Sequence, residues 1–170
     1  MPNTYASTIG RLWTSYNQRD WEEMKSLLAD DFHFFDNATG ISCTRDEWLE
    51  RIIEYWAGAL PDSAVSDLQV VSADGVATAV YELSGTNTGY EMLPGLGTTN
   101  KRAALRMCSI FQFTESGTIS SLEGFYDMLS VIRPLASDDA IRVSLPFEVQ
   151  SRPRVGVVYP EGSHVALKVA

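Results

Sequence analysis

The spacing of apolar residues changes near Pro61, and this change constrains the fold of the chain more than any other feature. Before Pro61, apolar residues recur every three or four positions, which is typical of helices buried on one side. After Pro61, apolar and polar residues alternate, which is typical of strands with one buried face. Helices that precede a run of antiparallel strands indicate an α+β fold, with the helices packed on one face of a curved sheet.

The first part of the chain predicts three helices and one short strand. A first helix with a single apolar stripe is expected to stop at residues 17–19. Asp20 and Thr44 each precede an acidic residue three positions later, a capping-box pattern that begins the second and third helices. Residues 31–36 are aromatic and predict a strand, and the third helix is expected to end at Pro61.

The second part of the chain predicts four antiparallel strands. Two of them form a hairpin that turns at Asp74-Gly75. After a loop rich in Gly, Thr and Pro, a long strand is expected over about 102–113, and residues 118–126 form the last one. A curved sheet covered by helices encloses a pocket, which is a usual place for a ligand.

Composition and charge exclude several classes of function. The formal net charge is −9, which disfavours binding to nucleic acid or to anionic membranes, because both require clustered Lys and Arg. No apolar run predicts a transmembrane helix, and the N-terminus lacks the pattern of a signal peptide. Cys43 and Cys108 form no CxxC motif and predict free thiols, so we expect a cytoplasmic protein. No cluster has metal-ligand spacing and no phosphate-binding glycine motif occurs, so no metal or cofactor is expected.

The chain is expected to form one domain over residues 1–135, followed by an arm over 136–170. The arm contains three prolines and a few apolar pieces, and it is too short to build a core of its own. We therefore predict that it packs on the domain as a cover or as one or two edge strands.

Asp127, at the end of the last predicted strand, has two possible roles, as a catalytic acid or base and as a helix cap. Strand alternation puts Glu123, Phe125 and Asp127 on one face. A carboxylate that faces an apolar pocket suits general acid/base catalysis. Alternatively, Asp127 caps the short apolar helix that follows. Glu123 and Asp127 lie about 13 Å apart along an extended strand, so they cannot share a proton.

Asp36 is the second candidate catalytic residue. It ends the first predicted strand and enters a turn that contains glycine, so an Asx-turn is the alternative interpretation. On the long strand, the more apolar face is expected to point inward, and Ser109 on that face needs a hydrogen-bond partner. Most of the other candidates are also compatible with a purely structural place in the core. The predicted substrate-binding residues are Tyr16, Trp13, His33, Trp56, Met107, Ser109, Phe111, Glu123 and Phe125.

Several segments together resemble the SnoaL-like polyketide cyclase family of the NTF2-like superfamily, over about residues 5–135. The most specific part is the order of GTNTG (85–89), a Gly/Pro/Thr loop, a strand that ends in IFQF (110–113), and a strand that leads to Asp127. The resemblance implies an α+β cone whose curved antiparallel sheet wraps around the N-terminal helices and encloses an apolar pocket. It also implies a homodimer and catalysis without a cofactor, with Asp127 as general acid or base. Asp36 matches the proton-transferring base of the related ketosteroid isomerases.

The residues and the resemblance lead to three hypotheses about function. The main one is a cofactor-independent cyclase or isomerase that acts on a hydrophobic polyketide or a related secondary-metabolite intermediate by general acid/base catalysis. The second is an epoxide hydrolase or a shape-driven cyclase on the same scaffold. The third is a dimeric ligand-binding module without catalytic activity.

Overall fold

A computed structural model describes residues 4–92 and 97–135, and these residues form helices followed by a curved, unclosed six-stranded sheet. The predicted α+β fold class is confirmed. The helices are α1 (Thr4–Gln18), α2 (Trp21–Ser26), α3 (Arg45–Arg51), which continues as a π-helix over Ile52–Gly58, and α4 (Met128–Leu135). The strands are β1 (Leu28–Asp36), β2 (Ile41–Thr44), β3 (Ala64–Ala73), β4 (Val76–Thr86), β5 (Arg102–Phe113) and β6 (Ile119–Tyr126).

The strand order in the sheet is β2-β1-β6-β5-β4-β3, and this order corrects one part of the prediction. β1 pairs with β6 in parallel, whereas every other neighbouring pair is antiparallel. The sheet is therefore mixed and not fully antiparallel. β2 was also not predicted, because its four residues are too few to show a period.

Local signals placed the helix starts and the hairpin correctly. The Asp20 carboxylate accepts a hydrogen bond from the Glu23 amide at 3.0 Å. The Glu47 carboxylate accepts the backbone N–H of Thr44 at 2.8 Å, as in a capping box. At the hairpin, Asp74 and Gly75 have φ angles of 48° and 83°, which suit a two-residue turn between twisted strands.

The core lies between the helices and one face of the sheet. On β5, alternate residues from Ala103 to Phe111 point to this face, as predicted for that strand. α1 contributes the stripe that includes Ile9 and Leu12, both fully buried. Val131 and Leu135 of α4 pack against Ala103 and Leu105 at the other end of β5 and form a second cluster.

The loop after β4 packs tightly against the end of the π-helix. A methyl group on Gly89 would lie 1.7 Å from the Gly58 carbonyl oxygen, so only glycine allows this approach. The Asn87 side chain is fully buried in the same loop. This contact holds the segment up to Met92 next to the π-helix and so builds one wall of the cavity described below.

The predicted arm over residues 136–170 lies outside the described residues, so its packing stays a prediction. The helices in the described part of the chain include none that is long and apolar enough to cross a membrane.

Candidate active site

A cavity of about 340 Å³ lies between the helices and the inner face of the sheet. Most of its wall is aromatic or aliphatic. Among the described residues that line it, Asp36 is the only carboxylate and Arg51 is the only cation. The full set is Trp13, Tyr16, Phe34, Asp36, Thr39, Ile41, Trp48, Arg51, Ile52, Tyr55, Trp56, Tyr81, Leu83, Met92, Met107, Leu122, Tyr126, Met128 and Val131.

Asp36 and Tyr126 form a hydrogen-bonded pair in the cavity wall. The Tyr126 hydroxyl donates to Asp36 Oδ2 at 2.8 Å. Asp36 Oδ1 accepts the Ala38 amide at 2.9 Å, so the predicted Asx-turn is confirmed. Asp36 is only 7% exposed, and its two hydrogen bonds fix the plane of the carboxylate. Because each carboxylate oxygen has two lone pairs, Asp36 still has acceptor capacity for a ligand.

Burial and the neighbouring carboxylate both raise the pKa of the Tyr126 hydroxyl. Burial raises the pKa of the Tyr126 hydroxyl well above its ordinary value, and the hydrogen bond to Asp36 raises it further. The phenol therefore stays protonated at physiological pH and remains a donor to Asp36.

The register of the sheet places Tyr126 in a row across the floor of the cavity. Tyr81 of β4 pairs with Met107 of β5, and Met107 pairs with Tyr126 of β6. Neighbouring strands lie about 4.8 Å apart, so Tyr81 and Tyr126 are separated by roughly 10 Å across this floor. The hydrogen-bonded pair of Asp36 and Tyr126 therefore occupies one side of the cavity, and Tyr81, with Trp13 against its ring, occupies the other.

Two further tyrosines in the wall have their hydroxyls bound to serines. Tyr16 Oη and Ser63 Oγ are 2.6 Å apart, and Tyr81 Oη and Ser109 Oγ are 2.9 Å apart. Burial raises the pKa of both phenols above the ordinary value. The partner that Ser109 was expected to need is thus Tyr81. The indole N–H of Trp13, by contrast, has no hydrogen-bond partner in the described part of the chain.

Five of the predicted site residues lie in the cavity wall. They are Asp36, Trp13, Tyr16, Trp56 and Met107. Their roles in binding or catalysis stay predictions.

Three predicted substrate-binding residues lie elsewhere in the fold. Ser109 and Phe111 are fully buried on the inner face of β5 but do not line the cavity. His33 is exposed on the outer face of β1, where its Nε2 lies 2.7 Å from the Ser42 hydroxyl. Side chains alternate between the two faces along β1. Because Phe34 and Asp36 point into the cavity, His33 points to the outer face.

The structure also corrects the placement of Asp127, Glu123 and Phe125. Asp127 is exposed, and its Oδ1 accepts the Leu129 amide at 3.0 Å, so the cap that was the alternative interpretation is confirmed. Its carboxylate does not line the cavity, and its position does not favour the catalytic role that we predicted. Glu123 and Phe125 alternate with the inward residues of β6 and face the other side of the sheet.

Sequence reasoning missed Tyr126, Arg51 and Tyr55 as cavity residues. For Tyr126 the sequence pattern is not enough, because the inner face of β6 follows from that of β5 only once the register is known, in which Gly124 pairs with Ser109 and Tyr126 with Met107. For Arg51 and Tyr55 no local signal distinguishes them from surface residues of a helix.

Within residues 4–92 and 97–135, no group of three or more His, Cys, Asp or Glu side chains is placed to hold a metal ion. The chemistry that the described cavity offers is hydrogen bonding, proton transfer by a carboxylate, and attraction of an anion by one guanidinium.

Solved structures share this fold at low sequence identity. A candidate polyketide cyclase from a Silicibacter species is 18% identical, with a TM-score of 0.68, and the match covers 79% of this chain and 97% of that one. IdmH, a candidate polyketide cyclase from Streptomyces antibioticus, is 19% identical with a TM-score of 0.65, over 76% of this chain and 96% of its own. A candidate ketosteroid isomerase from Kribbella flavida is 21% identical with a TM-score of 0.55, over 74% and 78% of the two chains.

Sequence comparison gives the family directly. No curated protein sequence matches the chain significantly. The family model of the SnoaL-like domain, however, matches residues 9–122, which include β1 to β5, the first half of β6 and the residues of the cavity from Trp13 to Leu122. The expected resemblance is thus confirmed, and the chain belongs to the SnoaL-like domain family.

Proposed function

We propose that this protein is a cofactor-independent cyclase or isomerase that moves a proton at a carbon next to a carbonyl group of a hydrophobic polyketide or a related intermediate. The observation that carries the proposal is Asp36, a buried carboxylate fixed by Tyr126 in the wall of an apolar cavity. Solved structures with the same fold support this class of reaction, because they include candidate polyketide cyclases and a candidate ketosteroid isomerase.

In the proposed reaction Asp36 takes a proton from the activated carbon, and the electron pair of the C–H bond passes to the carbonyl oxygen as an enolate. For a cyclase, the enolate carbon then attacks a second carbonyl carbon of the same molecule, a C–C bond forms, and the new alkoxide takes the proton back from Asp36. For an isomerase, the proton returns to a different carbon. General acid/base catalysis of this kind contributes roughly 10²- to 10⁴-fold in rate.

The other walls of the cavity position the substrate. The aromatic and aliphatic side chains hold a flat or folded apolar molecule with its reacting carbon near Asp36, which reduces the entropy lost on reaching the transition state. They also exclude water, which strengthens the electrostatic effect of the few polar groups. Tyr126 keeps the carboxylate in one orientation and acts as a positioning residue.

The test is exchange of the acidic C–H protons of 2-tetralone, a bicyclic ketone, in D₂O, followed by proton NMR. We expect the wild-type protein to accelerate exchange, and Asp36→Asn to reduce this acceleration by about 10²- to 10⁴-fold. Asp127→Asn is the matched control, because it removes a carboxylate that lies outside the cavity, and it should keep full activity. Full activity in Asp36→Asn would refute the acid/base role and leave the shape-driven mechanism, whereas no exchange by the wild type would favour the binding module.

We also propose that the protein forms a homodimer through the outer face of the sheet. On this face Val80, Cys108 and Phe125 form a row across three strands, and Phe125 is 37% exposed. Arg106 and Glu123 flank the row, so the same face carries both signs of charge, which suits association with a second copy. Sedimentation velocity should give a dimer for the wild type and a monomer for Phe125→Glu; a monomeric wild type would refute the proposal.

A further inference from the structure

Arg51 is the only cation among the described residues of the cavity wall, and it makes no direct ion pair with them, although Glu47 one turn before it is close enough for a longer-range electrostatic attraction. Its side chain is half-buried at the end of α3. Within residues 4–92 and 97–135, no carboxylate lies within ion-pair distance of its guanidinium. The acid one turn before it, Glu47, uses its carboxylate on the amide and hydroxyl of Thr44, at 2.8 and 2.9 Å.

Among the described residues Arg51 contacts an aromatic ring and donates no hydrogen bond. The guanidinium carbon lies 5.9 Å from the centre of the Tyr55 ring, a cation–π contact at the edge of the cavity. That contact is electrostatic and engages no lone pair, and the guanidinium has five N–H donors that can still bind an acceptor. A cation without a partner beside apolar surface is costly, so charged groups in such places usually meet an opposite charge.

Helix electrostatics alone do not require Arg51 to lie in the cavity wall. A cation at the end of a helix is favoured by the helix dipole, but this effect needs only proximity to the last turn. Here the helix continues as the π-helix Ile52–Gly58, which also supplies Ile52, Tyr55 and Trp56 to the cavity wall. π-Helical turns are rare and occur frequently at functional sites.

We propose that Arg51 binds an anionic group of the ligand, and that the substrates are therefore carboxylic acids of fused-ring or folded polyketide type. Two parallel N–H···O bonds between a guanidinium and a carboxylate are strong and directional. In the described wall of the cavity, Arg51 then anchors the acid group and Asp36 meets the carbon that reacts. The orientation of the substrate in this inference rests on the proposed function. The binding of the acid group by Arg51 does not depend on it.

The experiment compares 2-naphthoic acid with its neutral methyl ester, which has the same ring system. Binding is measured by isothermal titration calorimetry at pH 7 on wild-type protein, Arg51→Gln and Arg51→Lys, with Arg11→Gln as a surface control. We expect the wild type to bind the acid, and Arg51→Gln to weaken acid binding by about 10- to 100-fold while ester binding changes little. Arg51→Lys, which keeps the charge but loses the planar fork, should give an intermediate loss, and Arg11→Gln should bind like the wild type.

Three outcomes would overturn the proposal: no acid binding by the wild type, an Arg51→Gln variant that binds the acid as well as the wild type does, or equal losses for acid and ester. If Arg51→Gln does not fold, as judged by circular dichroism, the comparison between Arg51→Lys and the wild type decides the matter. Asp36→Asn separates this inference from the proposed function. That variant should still bind the acid even though it has lost proton exchange.

Discussion

Asn87 offers a sharp test of how the loop beside the cavity is held. Its side chain is fully buried, and Nδ2 donates to the carbonyl oxygens of Ala59 and Tyr90, each at 3.1 Å. Oδ1 accepts the backbone N–H of Thr99 at 3.0 Å. Asn87→Asp keeps the shape of the side chain and its bond to Thr99, but it turns a donor toward two carbonyl oxygens into an acceptor. The loop that this side chain holds leads to Met92 in the cavity wall.

The cost follows from what the introduced carboxyl must do in that place. As a buried carboxylate between two carbonyls it would be strongly disfavoured, so it takes up a proton on folding and its pKa in the folded state is raised. Holding that proton at pH 7 against an unfolded pKa near 3.9 costs about 4 kcal/mol. The protonated form can donate to one of the two carbonyls, so one further hydrogen bond is lost, which costs about 1 kcal/mol. The expected loss of stability is thus about 5 kcal/mol at pH 7 and about 1 kcal/mol near pH 4.

The sign of the pH dependence follows from proton binding in the two states. Between pH 4 and pH 7 the folded variant carries a proton that the unfolded chain releases, so its stability falls by about 1.4 kcal/mol for each pH unit. Urea unfolding from pH 4.5 to 7, measured as the difference from wild type at each pH, checks this slope. Asn87→Ala is the control: it loses the hydrogen bonds but introduces no ionisable group, so its difference from wild type should not change with pH. A pH-independent difference for Asn87→Asp would refute the reasoning.

Further changes test packing and the buried tyrosine. Gly89→Ala would place a methyl group 1.7 Å from the Gly58 carbonyl oxygen, so we expect urea unfolding to show a loss of at least about 1–3 kcal/mol. Gly10→Ala in α1, where nothing lies within 4 Å of the new methyl, should instead gain about 0.5–1 kcal/mol. Ser63→Ala removes the 2.6 Å contact with the Tyr16 hydroxyl, so stability should fall by about 1–2 kcal/mol. The pKa of Tyr16, already raised by burial, should rise further in alkaline absorbance titration, because the bond to Ser63 lowers it.

Several parts of the fold were predictable because short stretches of sequence encode them. The bounds of β5 at residues 102 and 113, the capping interactions at Asp20 and Thr44, and the turn at Asp74-Gly75 all depend on residues within a few positions of one another. Propensity, capping and turn geometry act over that range, so a pattern in the sequence is enough.

The inner face of β6 could not be predicted in the same way. Alternation separates its residues into two sets, one with Phe125 and the other with Tyr126, but each set contains an aromatic side chain. Which set faces the core depends on pairing with β5, where Tyr126 lies beside Met107. A shift of the register by one residue exchanges the two faces, and the wrong choice led to Asp127 and Glu123 as cavity residues.

The sequence by itself determined the α+β class, the order of most elements, the turn at Asp36 and the family, since these follow from local patterns and from motifs in a fixed order. Only the tertiary structure decided that Asp36 lies in the cavity wall, that Tyr126 is its partner 90 residues away, and that Arg51 lies in the same wall with no ion pair to any residue that the structure describes. The physical reason is that the contact between Asp36 and Tyr126 depends on the parallel pairing of β1 with β6. That pairing is selected by burial of the whole sheet and not by the residues that surround either side chain in sequence.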